Sequence, residues 1–472
     1  MGDLRLYNTR TRTVERFEPL RDSHVRMYVC GLTPSAQAHL GHARSFLFFD
    51  ILRRYLVHLG YEVTYVQNVT DIDDRSIAAA RRRGVSYRDV IGENYAEFKA
   101  SMHRLGVSEP DSEPYATSYI PQIQSMIRML VESGHAYAVE DGIYYAVSSF
   151  PRYGALSRRN TEELEAGARI EVGEHKRDPL DFALWKFAKP AEPSWPFEPY
   201  GAGRPGWHIE CSAMSRELLD PEGAGFDIHG GGADLIFPHH ENEIAQSEPL
   251  MTHPPMANVW VHGGLLLFDS RKMSKSLGNF EPLVDLLQRH DPQAIRLLFL
   301  RTGYRKVMNF TDESIASAEA DLQRLRLRYR DLRGGDGDAG EGGTLLESVE
   351  SALDEDMNTA VALAAVLSEP CSLDEFLTVL QILGVEPKQS WLDEPKREPA
   401  PDFVRRLELA LGSEAAFDGM RAEEAIERVI TWRAQARKQK DWKTSDALRD
   451  ALASCGVALH DTPDGTDWSV SS

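Results

Sequence analysis

The sequence predicts an α/β fold built on a doubly wound sheet, interrupted by an insertion and followed by helices and a small terminal module. Three observations carry this. "VRMYVC" (25–30), a loop, an amphipathic run and "YEVTYVQNV" (61–69) form a β-α-β unit. Strand–loop–helix texture returns in "FDIHGGGADLIFPHH" (226–240) and "ANVWVHGGLLLF" (257–268), after an antiparallel stretch. From about residue 310 onward the periodicity turns helical.

In the first unit the strand ends at Cys30, and "GLTPSAQAHLGH" (31–42) leaves its C-terminal end, where such folds bind ligands. Phe46, Phe49, Leu52, Leu56 and Leu59 recur at helical spacing, and Gly60 sits where a helix stop belongs. Residues 120–200 read as an insertion. Within it "GHAYAVEDGIYYAVSSF" (134–150) alternates around an Asp141–Gly142 turn, and "KPAEPSWPFEPYGAGRPGW" (189–207) is a Pro/Gly-rich return. "SIASAEADLQRLRLRYRDLR" (314–333) and "LLESVESALDEDMNTAVALAAVLSE" (345–369) predict long helices, joined by the flexible linker "GGDGDAGEGG" (334–343). A second boundary, "EPKQSWLDEPKREPAPDF" (386–403), holds four prolines among charges and sets off a module over 402–472.

The bulk numbers narrow the function classes. A length of 472 residues suggests about three domains. Lys and Arg total 53 against 73 Asp and Glu, so the net charge of -20 argues against non-specific nucleic-acid binding. A nucleic-acid partner would have to meet local basic patches: Arg324, Arg326, Arg328, Arg330 and Arg333, or Arg433, Arg437, Lys438, Lys440 and Lys443. There is no run of 18 apolar residues and no apolar leader, so neither a membrane span nor a secretory signal is expected. Four cysteines, widely spaced, suit a reducing cytosol better than a disulfide framework.

Three constellations carry chemistry. In "HLGH", His39 and His42 flank Gly41 at a helix start, where free N–H groups and the dipole attract phosphate. Taken alone, helix capping accounts for the pair as well. In "RKMSKSLGNF", Lys272 and Lys275 straddle Ser274 and Ser276 on a small-residue loop suited to a mobile phosphate clamp. A solvated loop has the same composition. The two together, more than 200 residues apart, form the double signature of class I aminoacyl-tRNA synthetases. In "FPHHENEIAQSE", Pro238 suits a first helical position, and His239 and Glu243 share a face. His240 and Glu241 are expected to point elsewhere. With Cys30 and Cys211 the pair makes a plausible zinc set, although the separations alone do not bring the four together. A cysteine by itself reads as a small buried hydrophobe.

The chain resembles the cysteinyl-tRNA synthetases over nearly its full length. The resemblance rests on "YVCG", "HLGHARS", "VTDIDD", "DFALWK", "GRPGWHIECSAMS", "FDIHGGGADLIFPHHENEIAQSE", "KMSKSLGNF", "ALDEDMNTAVAL" and "ARKQKDWKTSDALRDAL". It implies a Rossmann-type class I catalytic domain in two halves (1–119 and 201–265), split by a connective domain (120–200). A stem-contact region with the lysine loop (266–320), a helical tRNA-binding domain (321–395) and an anticodon-binding module (402–472) would follow. It implies one zinc per chain on Cys30, Cys211, His239 and Glu243. ATP with magnesium would be met by His39, Gly41, His42, Lys272, Ser274, Lys275 and Ser276, with the two histidines and two lysines catalytic. Cysteine would be met by Thr70, Trp207 and His229. The partners implied are ATP, L-cysteine and tRNA(Cys), for a cytoplasmic monomer. The class would load the 2′-hydroxyl first.

Three departures stand out: Pro34, Ser35 and Ala36 where the family has Val, Tyr and Asp; Arg75 for Lys; and Trp432 for an acidic residue. Thr33–Pro34 resembles an alternative, the cysteine:amino-sugar ligase of mycothiol synthesis, which typically lacks a developed anticodon-binding tail.

Overall fold

The strand His24–Leu32 is largely apolar and buried from Val25 to Cys30, with both of its faces covered. It is central in a four-stranded parallel sheet whose order is Ala257–Gly263, Phe226–Gly232, His24–Leu32, Glu62–Val69. From His24–Leu32 the chain crosses through the helix Leu40–His58 to Glu62–Val69 on one side. It returns on the other side at Phe226–Gly232, with Tyr28 opposite His229. The connections therefore part at the C-terminal ends of these two strands, which opens a crevice there. Gly31 is required at this end, since a Cβ would lie 1.6 Å from the Asn68 carbonyl oxygen. The helix buries Phe46, Phe49, Leu52 and Leu56, and the chain leaves it through Gly60 at φ 90°.

This computed structural model describes residues 3–159, 175–190, 192–268, 271–272, 281–334, 344–392, 400, 402–412, 417, 419–462 and 465–470. The chain divides into two compact units, Met1–Lys388 and Gln389–Ser472.

In the first unit an antiparallel sheet, Ala136–Ala138, Gly142–Tyr145, Phe182–Phe187 and Gly203–Pro205, takes three strands from the stretch 120–200 and a fourth from just beyond it. It does not stand apart. Ile143, Tyr145, Leu184 and Trp185 share one apolar core with Tyr28, Cys30, Cys211 and Trp260. A smaller sheet joins Leu266–Phe268 to Met308–Phe310 in parallel and to Arg271–Lys272 antiparallel. The linker 334–343 lies outside the described residues, apart from its first.

The helix Asp312–Gly334 matches the periodicity. The stretch 345–369, expected as one long helix, is instead two, Leu345–Asp354 and Thr359–Ser368. Asp356 and Met357 between them take φ of 54° and 53°. Tertiary contacts override helix propensity here. The Asp356 carboxylate accepts from the Tyr7 amide (2.8 Å), the Tyr304 hydroxyl (2.8 Å) and Arg305 Nε (2.8 Å), while Met357 is wholly buried.

The second unit packs Phe403–Leu411, Ala422–Lys438 and Trp442–Ser454 with the hairpin Val457–Thr462/Gly465–Val470 around Leu407, Ile426, Val429 and Leu452. Arg433, expected on the basic face of this unit, is buried instead. Among the described residues no helix is long and apolar enough to cross a membrane.

Candidate active site and metal centre

Four elements deliver a cluster to the crevice. Cys30 ends the central strand, and Cys211 lies on the helix Trp207–Leu219. His239 and Glu243 come from the segment Ile236–Ser247. Phe237 there is extended (φ -140°, ψ 131°), so Pro238 opens the helical path as expected. His239 Nε2 then reaches Glu243 Oε1 at 3.1 Å, and the Cys30 thiol donates to the same oxygen at 3.4 Å. One ligand atom from each of Cys30, Cys211, His239 and Glu243 lies within 4.8 Å of every other, all buried.

Burial and mutual charge set the protonation of this group. Burial pushes the Cys30 thiol up, and Cys211 adds to it. Burial acts the same way on Cys211, but a hydrogen bond from Cys30 and the charge of His239 bring it down to about 6. His239 loses stability as a cation through burial, yet Glu243 and Cys211 push it up to about 10. Glu243 stays far below the carboxylate range because His229 and His239 outweigh its burial. Two sulfurs, an imidazole and a carboxylate converge here, the donor types of a metal-binding set, and a bound metal would displace the proton that His239 shares with Cys211 and Glu243.

The structure corrects the reading of His240. Its Nε2 lies 3.3 Å from Cys30 Sγ and 3.9 Å from Glu243 Oε1, so it faces the cluster. The spacing of three to Glu243 also shares a helix face, so both histidines can turn toward that carboxylate. Cys30, His229, His240 and Glu243 form a second, overlapping group of converging donors. Glu241 does turn away, accepting from the Ser157 amide at 2.8 Å.

Two further histidines carry no motif signal. His208 Nδ1 lies 2.9 Å from His239 Nδ1. His262 Nε2 lies 2.7 Å from His240 Nδ1, and its Nδ1 lies 2.7 Å from Thr9 Oγ1. Such contacts orient a ligating ring through its far nitrogen.

A cavity of about 300 Å³ opens beside the cluster. Cys30 and Trp207 line it, as do His39, Gly41, His42 and Arg75. Thr70 and His229, expected with Trp207 in one pocket, are buried and are not among the residues that line it. The Thr70 hydroxyl accepts from Asn68 Nδ2 at 3.3 Å, and His229 Nε2 pairs with Glu243 Oε2 at 2.9 Å. His39 and His42 both cap the helix and face the cavity. His39 Nδ1 accepts from the Gly41 amide (3.1 Å) and His42 Nδ1 from the His39 amide (3.2 Å), with the rings stacked 3.7 Å apart. Burial, His39 and Arg75 push His42 down to about 3, so it is neutral at pH 7. Arg75 Nε donates to Asp73 at 2.9 Å, and its guanidinium lies 5.9 Å from the Trp207 ring centroid. Lys272 is described only in its backbone, paired with Leu267. Ser274, Lys275 and Ser276 lie outside the described residues.

The parallel sheet with its site at the strand ends is the class I aminoacyl-tRNA synthetase fold. Residues 16–320 match the family described as the tRNA synthetases class I (C) catalytic domain, and 421–468 match the cysteinyl-tRNA ligase anticodon binding domain. Among solved structures, the fold is shared with Mycobacterium tuberculosis methionyl-tRNA synthetase bound by methionyl-adenylate (TM-score 0.55, 17% identity, 78% of this chain and 86% of that one). It is also shared with a LeuRS–tRNA–LeuAMS complex from Agrobacterium radiobacter K84 (TM-score 0.57, 12% identity, 78% and 83%). The chain is 44% identical to the cysteine–tRNA ligase of Alkalilimnicola ehrlichii and 45% identical to that of Methylococcus capsulatus, each over 98% of this chain and 99% of the relative. Within class I, the chain belongs to the cysteine–tRNA ligase family.

Proposed function

We propose that the protein joins L-cysteine to tRNA(Cys) at the expense of ATP, acting as a monomer in the cytoplasm. One observation carries this reading: a buried Cys–Cys–His–Glu cluster reaches, through Cys30, the cavity that the two histidines of "HLGH" line. The substrate carboxylate would attack the α-phosphate of ATP, forming cysteinyl-adenylate and releasing pyrophosphate. A ribose hydroxyl of the terminal adenosine would then take the acyl group and release AMP.

The carboxylate is already a nucleophile and needs no base, so the protein's work is alignment and charge stabilisation. His39 and His42 are assigned to the α-phosphate. Lys272, Ser274, Lys275 and Ser276 are assigned to the triphosphate and the leaving pyrophosphate. Gly41 leaves room for the nucleoside: among the described residues its Cβ position is approached only by the His39 ring, at 3.0 Å. Trp207 would wall the cysteine site, with Thr70 and His229 supporting it.

Cys30, Cys211, His239 and Glu243 fit zinc: two soft sulfurs, an imidazole and one harder oxygen, all desolvated. When bound there, zinc supplies a Lewis acid that favours the substrate sulfur as thiolate. The amino-sugar ligase reading is not favoured, because residues 421–468 match an anticodon-binding domain and the relatives run the full length of the chain.

The test is charging of an unfractionated tRNA pool, followed by identification of the loaded species. Cysteine should appear on tRNA(Cys) alone. A chain ended at Lys388, the close of the first compact unit, should still form cysteinyl-adenylate but charge tRNA poorly. Normal charging by that shorter chain would remove the tail from tRNA recognition.

A further inference from the structure

We infer that Arg44 is the positioning residue that fixes the "HLGH" helix against the sheet that ends at Lys272, and so sets where that helix stands relative to the Lys272 backbone, at which the second nucleotide signature begins. The inference rests on the reading that both signatures serve ATP.

Arg44 lies on the helix Leu40–His58, two residues beyond His42, and is only 6% exposed. Its Nη1 donates to the carbonyls of Gly264 (3.1 Å) and Leu265 (2.8 Å). Its Nη2 donates to those of Lys306 (2.6 Å), Tyr304 (3.3 Å) and Gly303 (3.4 Å). These five oxygens come from two loops. One leads directly into Leu266–Phe268, the other into Met308–Phe310, and those strands pair with each other. Leu266–Phe268 also pairs with Arg271–Lys272, which enters the lysine loop. One guanidinium therefore fastens the signature helix to the root of the sheet that carries the second signature.

The chemistry of the contact is unusual for a buried arginine. Among the described residues no carboxylate pairs with it. Burial alone pushes its pKa down to about 10, which leaves it charged at pH 7. Its Nη donors go to backbone oxygens whose negative ends converge. Leu265, Tyr304 and Gly303 also accept from the amides of Met308, Gly264 and Lys306, so the oxygens that depend most on the guanidinium are those of Gly264 and Lys306. Without a fan of donors the converging carbonyls would repel one another. A lysine keeps the charge but offers a point, not a fan. Arg44 and Gly264 also line the nucleotide cavity, so a shift of this ring moves the cavity wall.

Gly264 gives an independent handle on the same contact. A Cβ there would lie 2.5 Å from the Lys306 oxygen and 2.6 Å from the Arg305 oxygen, both backbone. Gly264→Ala thus spreads the ring while Arg44 stays intact.

The experiment measures cysteine-dependent pyrophosphate–ATP exchange for the full chain and for Arg44→Lys, Arg44→Met and Gly264→Ala. Metal content and ATP-free cysteine binding are measured beside it. Arg44→Lys and Gly264→Ala should each lower kcat roughly 10²-fold, the effect of about an ångström of misplacement. Metal content and cysteine affinity, which depend on residues Arg44 does not touch, should stay at the wild-type level. Wild-type kcat in Arg44→Lys with loss only in Arg44→Met would make the charge alone important and overturn the inference. So would a kcat that falls only in step with the folded, metal-loaded fraction. If Arg44→Lys does not fold, Gly264→Ala decides by the same criteria. An unmodified chain that exchanges with no amino acid would overturn the functional reading instead.

Discussion

His42 accepts the His39 amide, stacks on the His39 ring and faces the cavity. Capping and nucleotide binding are therefore compatible roles at "HLGH", which the sequence alone left open. The depressed pKa of about 3 has a consequence for stability, because the unfolded imidazole titrates near 6.5. Between those values the unfolded chain binds more protons, so this contribution to stability falls as pH drops from 6.5 towards 3. Unfolding free energies at about pH 4 to 6 should show a slope smaller by up to about 1.4 kcal/mol per pH unit in His42→Asn. An unchanged slope would mean that the ring is solvated. At this scale the motif residues were legible, but the ring of support was not. His208, His240 and His262 reach the cluster from three elements, and only the sheet register and the turn at Ile236–His240 bring them together.

The elements were legible where one physical period governs them. The central strand, the signature helix with its stop at Gly60 and the helix 312–334 follow apolar spacing. The break at Asp356–Met357 was not legible, since the partners that hold it, Tyr7, Tyr304 and Arg305, are distant in sequence. The signature helix has a second long-range tie. Arg296 Nη2 donates to Asp50 Oδ2 at 2.5 Å and its Nε to the Leu383 carbonyl at 2.7 Å, with both side chains buried. Burial raises the Asp50 pKa, but Arg296 and Arg54 outweigh it and hold it low. Asp50→Asn leaves a buried guanidinium uncompensated and should cost about 3–5 kcal/mol by denaturant unfolding. Adding Arg296→Met should recover part of that loss. Strictly additive losses in the double variant would contradict the coupling.

For the whole molecule, the division between Lys388 and Gln389 falls within the Pro-rich stretch 386–403, ahead of residue 402, where the terminal module was expected to begin. Charge was a weaker guide. The total of -20 pointed to local basic patches, but burial and pairing decide which arginines are available. Arg433 is buried, and Arg326 pairs with Asp291 at 2.6 Å. A run of like charges in sequence does not reveal either fact. In the function proposed, a metal held by the cluster would select a thiol for activation by ATP. Serine is nearly isosteric with cysteine, and a small difference in shape is worth only about 1–3 kcal/mol. A thiolate-binding metal can supply the rest of the roughly 10⁴-fold, or about 5.5 kcal/mol, that faithful coding needs. Pyrophosphate–ATP exchange on the purified, zinc-loaded protein, with cysteine and serine in parallel, tests this most directly. Exchange should occur with cysteine, and kcat/KM for serine should be lower by about 10⁴ or more. Serine within about 100-fold of cysteine, or undiminished cysteine exchange and serine rejection after the metal is stripped, would contradict it.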